Sequence, residues 1–260
     1  MVKGLYSAWT GMVNEQNRMD VMTNNLANAS TVGFKKEGTT SQAFNDVLAV
    51  KLKDESVGLS NVQRIGINSP GVKIGENYTD YSQGSFRVTG NTYDLALSGS
   101  GFFQVDFAVN DKETVPMYTR AGQFTLNKDG YLVTQEGDYV IGADDKRIQL
   151  DTLKDTSIDT TGRITQDGQI VAQIKLVDFA DYNYLEKYGE TYYRALEGAD
   201  DTVVADATVN SGCLEMSNVQ TVSEMVNMIS ITRAYESNQK ILQTIDGTLE
   251  IAATQLGRLR

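Results

Sequence analysis

Apolar side chains recur every seventh residue at both ends of this chain and in short alternating runs through its middle. Near the N-terminus Leu5, Met12, Met19 and Leu26 keep the seven-residue spacing, and Ala8, Met22 and Ala29 fall three places later, with Glu15 as the one charged interruption. Such a stripe predicts a helix from about Val2 to Ala29, roughly 40 Å long. Near the C-terminus Met228, Tyr235, Leu242, Leu249 and Leu256 hold one heptad position, and Ile231, Asn238, Ile245, Ala252 and Leu259 hold the other. No proline interrupts this stretch, so a helix of roughly 60 Å is expected from about Asn218 onward. Asn238 is the amide in that seam, where a buried polar group selects one partner alignment.

The middle, about Gly66 to Gly212, reads as β. Phe124 to Leu126 and Tyr131 to Val133 flank Asn127-Lys128-Asp129-Gly130, and Ile164 to Gln166 and Gln169 to Val171 flank Asp167-Gly168, the pair favoured in tight hairpin turns. Gln173 to Phe179 is a further alternating run. Phe44 to Lys53 is compatible with a short helix or an extended arm, and Lys53 to Ser60 with a loop. The expected fold is α+β, an all-β middle domain with long N- and C-terminal helices forming a coiled coil. Its expected parts are the N-terminal helix of the coiled-coil domain (1–34), a connecting arm (35–65), a β-rich outer domain (66–212) and the C-terminal helix (213–260).

The polar side of the first helix changes this picture. It is mostly uncharged: Ser7, Thr10, Asn14, Gln16, Asn17, Thr23, Asn24, Asn25, Asn28, Ser30 and Thr31. A solvated helix usually carries more Lys and Glu, so an amide and hydroxyl face suggests burial, and burial against other subunits is the expectation. The heptad residues Leu5, Met12, Met19, Leu26, Met228, Ile231, Tyr235, Asn238, Leu242, Ile245, Leu249 and Leu256 are the expected assembly interface.

Composition excludes several chemistries. The net charge is −11, which disfavours nucleic acid as a partner because a nucleic-acid binder needs a basic face. There is no histidine and a single cysteine, Cys213. That leaves no disulfide and neither the commonest general base nor the usual zinc ligands. Gly99 and Gly101 lack the following residues of a phosphate loop. Neither a secretory signal nor a membrane-spanning apolar run is present. No catalytic residue, cofactor, metal or small-molecule substrate is therefore expected. A glycan hydrolase with two facing carboxylates and a surface adhesin with a β head on a stalk are the alternatives left open.

Four motifs carry a resemblance. Asn24-Asn25-Leu26-Ala27-Asn28-Ala29-Ser30-Thr31-Val32-Gly33-Phe34-Lys35 reads as a helix exit, with Gly33 free to turn left-handed. It closely resembles the signature of the bacterial flagellar axial proteins, the rod and hook family. Ser98 to Val105, Tyr118 to Phe124 and Leu214 to Val219 resemble further blocks of that family, in its order. The length and compact middle resemble the rod members, the distal-rod type first and the proximal-rod type second. The resemblance implies a tubular homopolymer in the basal body that transmits torque and carries the export channel, meeting neighbouring rod and hook proteins. It implies export through the flagellar type III apparatus without a cleaved signal, an inner layer of paired helices and an outer β layer. Isolated helices are marginal in water, so the ends are expected to order on assembly.

Overall fold

The computed structural model describes residues 2–51, 63–110, 113–199, 201–203 and 207–256. The expected loop from Lys53 to Ser60 lies outside the described residues, as do Leu259 and the side chain of Leu256. The chain forms two compact units. One joins Met1–Leu26, Glu37–Asp80 and Thr221–Arg260; the other joins Ala27–Lys36 and Tyr81–Gln220.

The first unit contains two helices, α1 (Val2–Ala27) and α2 (Thr221–Leu256), and two strand pairs. Glu37–Ala43 runs antiparallel to Val72–Thr79, and Val47–Lys51 to Gln63–Asn68. The stretch from Val47 to Lys51 is thus extended. No helix among the described residues is long and apolar enough to cross a membrane.

Both ends are helical, but the long coiled coil expected from the heptads does not form. In a coiled coil the seam residues sink as knobs into the partner. Here Leu5 and Leu249 are exposed, and Met12, Met19, Leu26, Met228, Tyr235, Asn238, Leu242 and Ile245 are half-buried; Ala8 and Ile231 are the buried members. The helices approach through small residues instead. A Cβ placed on Gly4 would stand 3.8 Å from Ile245 Cδ1, and one on Gly11 would stand 3.0 Å from Asn238 Nδ2.

The physical reason lies on the other side of α1. Part of its amide and hydroxyl face, Thr10, Asn14 and Asn25, packs on the Glu37–Ala43 and Val72–Thr79 ribbon within the same chain, while Gln16, Thr23 and Asn24 stay exposed. Ser7 Oγ donates to Pro70 O at 3.0 Å, Asn14 Nδ2 donates to Ser41 Oγ at 3.0 Å, and a Cβ on Gly71 would strike Thr10 Oγ1. Asn25 is fully buried and imitates a strand residue: its Nδ2 donates to Glu37 O at 2.7 Å and its Oδ1 accepts from Glu37 N at 2.9 Å. Thr10, Asn14 and Asn25 are therefore consumed inside the subunit, not held for another one.

The second unit is built on a nine-stranded sheet. Its main path runs Leu185–Tyr188, Tyr192–Ala195, Glu113–Thr119, Phe102–Asn110, Tyr139–Val140, Leu132–Thr134, Phe124–Leu126; Leu176–Phe179 also pairs with Phe102–Asn110 and with Asp201–Val203. Successive strand residues point to opposite faces. Four doublets, Phe102-Phe103, Met117-Tyr118, Leu176-Val177 and Tyr192-Tyr193, use this to supply both sides at once. Phe103, Met117, Leu176 and Tyr192 join one core with Leu95, Leu132 and Ile164. Phe102, Tyr118, Val177 and Tyr193 join the other with Phe179 and Leu185. A sheet covered on both faces reads as apolar pairs, not as clean alternation.

Both expected hairpins are present. Phe124–Leu126 pairs with Leu132–Thr134, and Arg163–Gln166 with Gln169–Gln173. The second turns through Asp167 (φ 51°) and Gly168 (φ 79°), the left-handed pair that matches strand twist. The run from Gln173 to Phe179 is divided: one strand ends at Gln173 and the next begins at Leu176.

One half-buried and one buried phenol tie stability to alkaline pH. Burial, reinforced by the Asp178 carboxylate that accepts its O–H at 2.8 Å, pushes Tyr182 up to about 12. Burial also raises Tyr192, which donates to Asp138 Oδ2 at 2.8 Å. The folded chain holds these protons more tightly than the unfolded chain, whose tyrosines titrate near 10. Their contribution is complete below that pH and is lost as pH rises toward and through the folded values. The urea midpoint is expected to fall from about pH 10 upward, and Tyr182→Phe combined with Tyr192→Phe to make the decline shallower.

Candidate assembly interface

The residues singled out by motif converge on one buried carboxylate in the second unit, Glu215. It ends the Cys213–Glu215 strand, which pairs with Phe86–Val88. Its Oε1 accepts from Lys35 Nζ at 2.7 Å and from Gly84 N at 3.0 Å, and its Oε2 lies 3.4 Å from Arg120 Nη1. Its backbone oxygen accepts from Gly33 N at 2.8 Å. All three charged side chains are buried. Arg120 also lies over the Phe102 ring and donates to Gly99 O at 2.8 Å.

The helix-exit motif is shaped to reach this point. Thr31 N and Thr31 Oγ1 bond to Asn28 O and Asn28 Oδ1, closing the turn. Gly33 adopts φ 71°, and a Cβ there would sit 2.4 Å from Ala121 N, so only glycine fits. Phe34 is fully buried, with Lys187 Nζ 4.0 Å above its ring. Lys35 Nζ also donates to Ser82 O at 2.8 Å. Lys36 N donates to Asn218 Oδ1 at 2.8 Å, and Asn218 Nδ2 donates to Ser82 O at 3.2 Å. Of the remaining motif residues, Asn24 and Ala27 are exposed and Leu26 is half-buried, while Asn25 and Asn28 are buried. The motif is thus a clasp, and its groups are engaged in structure.

Surfaces able to meet another chain lie in the first unit, one position around from the heptads. On α2, Val222, Met225, Val226 and Ile229 are 74%, 51%, 58% and 53% exposed. Their i, i+3, i+4, i+7 spacing makes one stripe. On α1, Leu5, Tyr6, Trp9 and Val13 are likewise exposed, and the Tyr6 and Trp9 rings pack 5.9 Å apart. Tyr6, Trp9, Val13, Val222, Met225, Val226 and Ile229 were absent from the residues expected at an interface. Their helical spacing is visible in sequence, but a heptad reading assigns it to the outside of a coiled coil. Of the expected interface residues, Leu5 and Leu249 are exposed, Ile231 is buried, and most of the rest are half-buried.

A cleft of about 440 Å³ in the second unit is lined by Ser30, Thr31, Arg87, Glu136, Glu190 and Tyr192, among others. Glu136 and Glu190 are exposed. General-acid chemistry needs one carboxyl held in a dry, apolar setting, and neither carboxylate has one. Among the described residues no group of three His, Cys, Asp or Glu side chains is placed to hold a metal ion.

The clasp carries a prediction. Glu215→Leu would leave Lys35 and Arg120 buried without their carboxylate, a loss of roughly 3–5 kcal/mol, read as a lower urea midpoint. Adding Lys35→Met and Arg120→Leu should restore much of that stability, because the uncompensated charges are then gone.

Comparison with known proteins agrees with these placements. Residues 5–35 match the model of the flagella basal body rod protein family, residues 96–172 the flagellar hook protein FlgE/F/G D1 domain, and residues 210–256 the flagellar basal body rod FlgEFG protein C-terminal family. The chain is 35% identical to the flagellar basal-body rod protein FlgG of Bacillus subtilis, covering 96% of this chain and 97% of that one. It is 34% identical to the flagellar basal-body rod protein FlgF of Caulobacter vibrioides, covering 100% of this chain and 98% of that one. It is 27% identical, over the full length of both, to the flagellar hook-basal body complex protein FlhO of Bacillus subtilis. Near-complete coverage at this identity, with matches to both helical ends and to the β unit between them, establishes that the chain belongs to the flagellar basal-body rod protein family, of the FlgG and FlgF type.

Proposed function

We propose that this chain, a structural rod-family protein of the flagellar basal body, polymerises with copies of itself into a tube that transmits torque and encloses an export channel. Its neighbours along that tube are other rod and hook proteins, and it reaches them through the flagellar type III export apparatus. The observation that carries the reading is the pair of exposed apolar stripes on α1 and α2. Stripes of this size on helices of 26 and 36 residues, about 39 and 54 Å long, suit contact with other chains. A non-enzymatic role agrees with the family and with clasp residues whose groups are spent on structure. The half-buried heptad residues, Leu242 and Ile245 among them, supply further contact when a neighbour closes over them.

Electron microscopy and sedimentation of the purified full chain test this. Tubes or sedimenting polymers are expected with rising concentration. Ile229→Asp and Leu249→Asp should each abolish them, while hydrogen exchange in the sheet around Phe103 and Leu132 stays slow. A chain that forms no polymer alone, and adds to no isolated basal body, would overturn the proposal. The helix ends are expected to order on assembly, so limited proteolysis should trim α1 and α2 in free chains and spare them in polymers.

A further inference from the structure

We infer that Met225 is a reversible oxidation site, and that its conversion to the sulfoxide switches off the apolar face of α2. The switch rests on the reading that the chain assembles with itself; the reactivity of the site does not. The chain has eight methionines. Among the described residues Met117 is buried, Met12, Met19, Met22, Met216 and Met228 are half-buried, and Met225 alone is exposed, at 51%. Its thioether is therefore the one that a small oxidant meets first, because oxidation follows exposure. Cys213, the single cysteine, is half-buried in the strand that ends at Glu215. The chain has no second thiol with which it could form a disulfide.

The position of Met225 makes the reaction consequential. It stands within the Val222, Met225, Val226 and Ile229 stripe, with Val222 at i−3 and Ile229 at i+4 along the helix. Contact through such a stripe is driven by taking apolar area out of water. As a thioether, Met225 is flexible and apolar and adapts to an irregular partner surface. As a sulfoxide it carries a hydrogen-bond acceptor, and the side chains of Val222, Val226 and Ile229 offer it no donor. A buried acceptor without a donor opposes contact. One added oxygen atom thus turns the middle of the stripe from favouring contact to opposing it.

The oxidant is a hydroperoxide, hydrogen peroxide in the simplest case. A sulfur lone pair attacks one peroxide oxygen, and the S–O bond forms as the O–O bond breaks. The sulfur loses two electrons and the peroxide is reduced to water, the proton of the transferred oxygen passing to the departing one. The return step takes two electrons from a dithiol, which becomes a disulfide while the oxygen leaves as water; methionine sulfoxide reductases catalyse it. The stripe is open in the free chain and covered in a polymer, so oxidation acts on unassembled subunits.

Peptide mapping by mass spectrometry, through a time course in hydrogen peroxide, tests the site in the full chain carrying Cys213→Ser. Met225 is expected to oxidise severalfold faster in free chains than any other methionine within residues 2–256, and to be protected in polymers. A buried or half-buried methionine that oxidises as fast would overturn the site. Sedimentation tests the switch. Oxidised chains are expected to need a severalfold higher concentration to assemble, and a methionine sulfoxide reductase with a dithiol to reverse that. Met225→Leu, compared with itself before and after peroxide, should show no such change. Selective conversion of Met225 with assembly unaltered, or a Met225→Leu chain as sensitive to peroxide as its parent, would overturn the switch and leave assembly standing. A fall in helical circular dichroism on oxidation would overturn it too, since the effect would then be on the helix and not on its face. If unoxidised chains never sediment, the assembly reading falls and takes the switch with it, while the peptide map still decides the site.

Discussion

A carboxylate with no access to water organises this protein. Glu215 accepts from Lys35, Gly84 and Arg120 through its side chain and from Gly33 through its backbone. Stretches as far apart as residues 35 and 215 meet there, so the loop leaving α1 and the strand preceding α2 are joined at one point. A buried ion cluster is weak evidence of net stability, because desolvation offsets attraction. What such a cluster does strongly is penalise every arrangement that leaves a charge unpaired. Within the second unit the segment from Ala27 to Lys36 is thereby held against the Cys213–Glu215 strand, with Gly33 admitting the close approach to Ala121 that a side chain would block.

The same logic explains α1. Its amides look like waiting subunit contacts until the ribbon from Glu37 to Thr79 is seen beneath them. Buried amides must be hydrogen-bonded, and Asn25, with both of its groups on Glu37, shows how completely they are. With Thr10, Asn14 and Asn25 committed to the ribbon, the helix turns Leu5, Tyr6, Trp9 and Val13 to water. An amphipathic helix is thus used with part of its polar face inside and part of its apolar face outside. That inversion suits a subunit completed by its neighbours.

The β unit contributes rigidity. Doublets such as Phe102-Phe103 and Tyr192-Tyr193 cover both faces of the central sheet from single strands. Interiors packed on both sides transmit strain with little deformation, which fits a member of the rod family. The two carboxylates that line the cleft beside the clasp, Glu136 and Glu190, are exposed.

Local periodicity and turn chemistry made much of this legible. The two terminal helices, the Asp167-Gly168 hairpin and the Phe124–Thr134 hairpin follow from short-range spacing, and the motif blocks identified the family. The coiled coil did not follow, because a heptad states which residues share a face and not what covers it. Leu5 and Leu249 share their stripes with buried Ala8 and Ile231, yet stand exposed. The role of Glu215 was equally hidden: an isolated Glu in a strand has no local mark of burial, and its partners lie about 95 and 180 residues away. By itself the sequence determined the two terminal helices, the two hairpins with their turns and the family, since these depend on neighbours within a few residues. Only the tertiary structure decided which helix faces are spent inside the chain and which stay exposed, because that depends on long-range pairing of buried polar groups.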